Sequence, residues 1–163
     1  MRTRTLSPPE PRRAAARQVV GLAIRTTNAA EAEPATARIP ELWGRFSSGK
    51  WAERLEDLGA VGPTLAVYSR YESDVSGSYQ LLVGRELKGS ATALAPLETE
   101  TIPPGQYLTF SCPGPLPQAV LDGWRRVWTF FERPDAPRRA YSADFEVYSD
   151  SQPVDIWVAI HGL

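Results

Sequence analysis

Phe145-Glu146-Val147-Tyr148-Ser149 repeats, at an offset of 80 residues, the pattern of Leu65-Ala66-Val67-Tyr68-Ser69, and Trp124 stands 81 residues after Trp43. Two separate matches at nearly one spacing point to an internal duplication, provided that the surrounding elements repeat as well. Around the first copy, residues 65–72 and 79–87 read as strands joined by Asp74-Val75-Ser76-Gly77, a hairpin-turn composition. Ahead of them lie a strand at about 18–27, with Val19, Val20, Leu22 and Ile24, and a helix starting near Pro40 in which Ile39, Leu42, Trp43 and Phe46 recur at helical spacing.

The second copy follows the same order. A strand near 98–112 is interrupted at Pro103-Pro104-Gly105, because proline has no N–H to give to a ladder. Pro113-Gly114-Pro115-Leu116-Pro117 breaks the chain before a helix carrying Val120, Trp124, Val127, Trp128 and Phe131, which Glu132-Arg133-Pro134 ends. Strands at 140–149 and 154–161 close the chain. The reading is an α+β fold, a duplicated β-α-β-β with two long helices, in one domain over residues 18–163. Its repeats span about 18–90 and about 97–162.

Composition bounds the chemistry. The chain has 163 residues, 42% hydrophobic and 23% charged, with a formal net charge of -1, which implies no general attraction to nucleic acid or to an anionic membrane. Residues 1–17 hold five Arg against Glu10 and several prolines, and are expected to form a disordered or loosely attached basic tail, too short for a DNA-reading module. No 18-residue apolar run and no secretory leader pattern occurs, so a cytoplasmic location is expected. Cys112 is the one cysteine and His161 the one histidine, which leaves no disulfide framework, histidine triad or multi-histidine metal site. Without a glycine-rich phosphate loop, no cofactor is called for.

The candidate chemistry lies in Glu146. Strand alternation puts Ala143, Phe145 and Val147 on one face and Asp144, Glu146 and Tyr148 on the other, so Glu146 either meets water on a half-exposed strand or faces a cavity and awaits a cation. Helical spacing reads Trp43, Trp124 and Trp128 as residues packing helix to sheet, whereas Tyr68, Tyr71, Tyr79, Tyr107 and Tyr148 carry hydroxyls that suit a cavity wall. Spacing does not show whether Asp155 faces the same space.

Ile39-Pro40-Glu41-Leu42-Trp43 with Phe46, Tyr71-Glu72-Ser73-Asp74 with Gly77, Tyr79 and Gly84, Ile102-Pro103-Pro104-Gly105-Gln106-Tyr107 with Phe110, the Asp144–Tyr148 stretch, and Asp155-Ile156-Trp157-Val158-Ala159-Ile160 together resemble the gyrase-inhibitor-like effector-binding family. This ligand-sensing module occurs behind the DNA-binding domains of AraC-type and MerR-type transcription regulators. The resemblance covers about residues 18–161 and is nearest to the free-standing integron-cassette members. It implies a curved antiparallel sheet with a cleft between the halves. It also implies that Glu146 receives a hydrophobic, cationic ligand in a pocket lined by Tyr148, Tyr68, Tyr71, Tyr107, Phe110, Trp43, Trp124 and Trp157. The pseudo-equivalent of Glu146 is Ala66, so the pocket would hold one such acid. Since the same fold holds hydrolases of cyclopropane-bearing compounds, the alternative is catalysis by Glu146 and Tyr148. A protein partner of the regulator or gyrase type is a further implication.

Overall fold

The computed structural model describes residues 7–89 and 95–162. Along the chain run β1 (Glu10–Ala14), β2 (Arg17–Thr27), α1 (Asn28–Glu31), α2 (Ile39–Ser48), α3 (Trp51–Asp57), β3 (Ala60–Ser69), β4 (Ser78–Leu87), β5 (Glu98–Ile102), β6 (Gly105–Cys112), α4 (Gln118–Phe131), β7 (Ala143–Tyr148) and β8 (Val154–Ala159). All eight strands join one antiparallel sheet in the order β1-β6-β8-β7-β3-β4-β2-β5. That order is symmetric about its middle: β3 faces β7, β4 corresponds to β8, β2 to β6 and β5 to β1. The duplicated β-α-β-β architecture legible in the sequence is therefore the architecture of the sheet.

The outer strands are exchanged between the repeats. Ala14 pairs with Gly105 and Arg17 with Ile102, so one antiparallel register runs through β1–β6 and on into β2–β5. Because only Ala15-Ala16 and Pro103-Pro104 separate the members of each long strand, the two ends of the sheet are drawn together and the sheet curls into a half-barrel. Val19, Leu65, Val67, Leu82, Ile102, Tyr107 and Phe145 fill the inside of the curl. On the other face, α2 and α3 cover a core built on Leu22, Leu42, Leu55 and Leu81, and α4 covers one built on Phe110, Val127 and Ile156.

The expectation of a loose tail over residues 1–17 is corrected for its second part: Glu10–Ala14 form an edge strand on β6, and Thr109 Oγ1 donates to the Glu10 carbonyl at 3.1 Å. A strand can hold on through its backbone even where its side chains, here mostly exposed, bury little. Residues 1–6 lie outside the described part, as do 90–94 and Leu163.

The expected single long helix of the first repeat is instead two. Gly49 ends α2 and Lys50 takes a left-handed φ of 54° before α3 begins. Ahead of α2, the Glu31 carboxylate accepts from the Arg38 and Ile39 backbone N–H groups at 2.9 and 3.0 Å, which satisfies donors that a helix start leaves unpaired. In the hairpin between β3 and β4, Asp74 Oδ1 accepts from the Ser76 N–H at 2.9 Å, the local turn chemistry anticipated there. Gly21 and Gly84 are cross-strand partners, and a Cβ at Gly84 would lie 1.9 Å from the Val20 carbonyl oxygen, so β2 and β4 can approach as they do only with glycine at this point.

Candidate functional site

Glu146 lies on β7 at the junction of the two repeats, paired with Ala66 of β3 and with Ile156 of β8. It is 1% exposed, and its side chain points to the helix-covered face. Both oxygens are occupied by donors on aromatic rings. Tyr148 donates to Oε1 at 2.6 Å, while Tyr68 and the Trp124 indole donate to Oε2 at 2.8 and 2.6 Å. The half-exposed strand reading fails because the rings of Tyr68, Tyr148 and Trp124 cover the carboxylate on the helix side of β7, while Phe145 is buried inside the curl on the other side.

The cage has the symmetry of the fold. Trp43 of α2 packs edge to face on Tyr148 with centroids 4.9 Å apart, and Trp124 of α4 packs the same way on Tyr68 at 5.1 Å. Each repeat's helix thus supplies a tryptophan to the other repeat's tyrosine, and both tyrosines bond the one acid. Trp124 continues outward to Trp128, with rings 6.4 Å apart, and Trp128 is 38% exposed. The sequence reading of these tryptophans as helix-to-sheet packing describes Trp43 and Trp124, which are half-buried, better than Trp128.

The close approach of α4 depends on Gly123, where a Cβ would sit 2.4 Å from Cys112 Sγ and 3.0 Å from Ile156 Cδ1. That fit sets the depth of the neighbouring Trp124. Cys112 is a buried thiol, pushed up to about 12 mainly by desolvation, and so is a structural residue in its ground state.

Burial is the largest influence on the Glu146 carboxyl and raises its pKa; the hydrogen bonds from Trp124, Tyr148 and Tyr68 act in the opposite direction and do not cancel it. Burial and then the adjacent carboxylate hold the Tyr68 and Tyr148 phenols well above their usual range, so both stay protonated donors. Among the described residues no Lys or Arg forms an ion pair with Glu146.

Asp144, two residues earlier on the same face, is the contrast. It is 0% exposed and accepts from Tyr71 at 2.5 Å, from Arg139 Nη2 at 2.7 Å and from the Ala159 N–H at 2.8 Å. The Arg139 guanidinium lies 4.3 Å from the Tyr141 ring centroid. Alternation in the sequence placed Asp144 beside Glu146, but nothing local pointed to Arg139 as its partner. Rings Tyr141, Tyr71, Tyr79 and Tyr68 run in contact from one acid to the other, 5.5, 6.1 and 5.6 Å apart.

Of the residues expected to line the pocket, Glu146, Tyr148, Tyr68, Trp43 and Trp124 are brought together, and Tyr71 joins through Asp144. Tyr107 and Trp157 are not. Both pack on Phe145 inside the curl, and the Tyr107 hydroxyl donates to the Pro103 carbonyl at 2.6 Å. Trp157 is the cross-strand partner of Phe145, and partners share a face, so it cannot reach Glu146. Phe110 is on the correct face but lies under α4 against Phe130 and Phe131. Asp155 pairs with Val147 and faces the opposite side from Glu146. Its carboxyl is raised by burial, and the charges acting on it are those of Arg12 and Glu10 on β1.

A curled sheet of two interlocked β-α-β-β copies, with a caged acid and aromatic walls where they join, defines an effector-binding domain. The chain belongs to the family of integron-associated effector-binding proteins, whose model matches residues 14–160. It is 30% identical over 151 residues to YobU of Bacillus subtilis (strain 168), named a candidate transcriptional regulator, which covers 88% of this chain and 92% of that one. Among solved structures, an integron cassette protein from the mobile metagenome of Vibrio cholerae superposes with a TM-score of 0.79 at 31% identity, covering 96% of this chain and 97% of that one. The protein SAV2435, solved with tetraphenylphosphonium bound, shares the fold with a TM-score of 0.75 at 20% identity over 96% of this chain and 95% of that one. No helix among the described residues is long and apolar enough to cross a membrane.

Proposed function

We propose that the protein binds hydrophobic cationic small molecules between α2 and α4, with Glu146 as the counter-charge and Tyr148, Tyr68, Trp124 and Trp43 as the walls. The observation that carries this reading is a wholly buried carboxylate that, among the described residues, is held by neutral donors alone, beside a second buried carboxylate that has its own guanidinium. A buried charge without a partner is costly, and hydrogen bonds offset only part of that cost. A ligand cation supplies what Asp144 already receives from Arg139. Each well-placed aromatic face adds about 0.5–2 kcal/mol, and burial of a flat apolar body adds about 25 cal/mol per Å².

Because Tyr68, Tyr148 and Trp124 cover the carboxylate, rings carried by the helices part from it as the ligand enters. The energy lost in parting them, with the loss of ligand freedom, brings the expected affinity to the order of micromolar. That a protein of the same fold holds tetraphenylphosphonium, a lipophilic cation, supports the ligand class. The test is titration of a rhodamine-class cation against wild type and Glu146→Gln. The substitution retains an acceptor oxygen and removes the charge. A loss of about tenfold or more is expected; equal affinities would take Glu146 out of the role.

A further inference from the structure

We propose that the Glu146 site selects cations carrying N–H donors over cations carrying none, because such a ligand takes over the place of the Trp124 indole at Glu146 Oε2. This inference rests on the cation-binding reading of the same site.

The two buried acids of β7 are built alike. Asp144 Oδ2 takes one phenol, from Tyr71 at 2.5 Å, and one cationic N–H, from Arg139 at 2.7 Å. Glu146 Oε2 likewise takes one phenol, from Tyr68 at 2.8 Å, and one N–H, from the neutral Trp124 indole at 2.6 Å. The indole therefore stands where, in the neighbouring unit, a guanidinium stands. At Asp144 the cation is also covered by an aromatic ring, Tyr141 at 4.3 Å, and the side chains of the ion pair are only 6% and 0% exposed. The chain thus contains, two residues away, a filled version of the arrangement that Glu146 presents with a neutral donor.

Of the three donors on Glu146, the indole is the one free to yield. Tyr68 and Tyr148 project from β3 and β7, whose ladder fixes them at the centre of the sheet. Trp124 projects from α4, and its ring leads outward to the exposed Trp128, so a ligand arriving along that helix meets the indole first. Displacing the indole leaves Oε2 one hydrogen bond short, and an unsatisfied buried acceptor on a charged group is expensive. A cation with an N–H restores the bond and adds its charge. A cation with no N–H leaves the deficit.

The test uses two permanently cationic dyes with one ring system, rhodamine 6G, which has secondary N–H groups, and tetramethylrhodamine ethyl ester, which has none. Anisotropy titrations measure both against wild type, Trp124→Phe and Glu146→Leu. Rhodamine 6G is expected to bind wild type about tenfold tighter than its partner, relative to the ratio in Glu146→Leu. Trp124→Phe, with no indole N–H to displace, should bind both dyes more tightly. A wild-type ratio no different from that in Glu146→Leu overturns the N–H preference while leaving cation binding intact. Weaker binding of both dyes by Trp124→Phe overturns the displacement of the indole. If Glu146→Leu binds both dyes as well as wild type does, the site reading itself falls. Wild type and Glu146→Leu melting cooperatively at the start of the titration establishes that folded protein is compared.

Discussion

Replacing Glu146 by Gln should change how stability depends on pH, and the sign follows from the burial of this one group. The folded chain raises the Glu146 carboxyl, mainly by desolvation, above the value of about 4.3 that it has in the unfolded chain. A group raised on folding contributes stability that is fully present below the unfolded pKa and is lost as pH rises through the folded one. Between the two values the wild type loses about 1.4 kcal/mol for every pH unit, because the folded state holds a proton that the unfolded state has given up. Gln mimics the protonated acid at all pH. Its amide oxygen can still accept from Tyr68 and Trp124, and its amide N–H₂ can turn to the Tyr148 oxygen. The variant should therefore match the wild type below about pH 4 and become progressively more stable above it. For a chain of this length each 1.4 kcal/mol corresponds to about 3–5 °C in Tm. Urea unfolding of both proteins from pH 4 to 8 measures the difference, in which contributions common to both proteins cancel. Parallel curves would refute the claim that burial dominates at Glu146, and a wild type that gains on the variant with rising pH would reverse it.

Other parts of the structure make equally definite claims. Arg139→Met strands the buried Asp144 carboxylate and should cost about 3–5 kcal/mol in urea unfolding, much of it recovered when Asp144→Leu is added; equal losses in the single and double variants would show that the pair is not the cause. Gly123→Ala forces a Cβ against Cys112 and Ile156 and should cost about 1–3 kcal/mol, with a change in tryptophan emission as α4 lifts Trp124 away from Glu146; unchanged stability and emission would mean that the helix adjusts without strain. Deletion of residues 1–14 bares the β6 edge and should lower Tm and promote self-association visible by light scattering, whereas an unaltered Tm and a monodisperse sample would show that β1 is dispensable.

The duplication, the main strands and helices and the grouping of Glu146 with Asp144 and Tyr148 on one side of a strand were legible in the chain, because they follow from recurring spacings: two residues for a strand, about 3.6 for a helix, and about 80 for the repeat. Proline and glycine marked the breaks at 103–105 and 113–117 for equally local reasons. The residues that the sequence assigned wrongly or passed over depend on pairing over long distances. Tyr107 and Trp157 are aromatic and lie on strands, as Tyr68 and Tyr148 do, but their register turns them into the curl, and strand composition alone does not say which face the helices will cover. Glu10–Ala14 reads as a polar tail because its side chains bury little; only the presence of β6 some hundred residues later gives its backbone a partner. Arg139 looks like any surface arginine until Asp144 is set beside it. The sequence by itself determined the duplicated core of strands and helices and that Glu146 stands in a stretch rich in aromatic residues. The tertiary structure decided that this acid is sealed from water with no cation beside it among the described residues while its neighbour Asp144 has one, because burial and charge pairing are properties of surfaces that meet only once the two repeats close on each other.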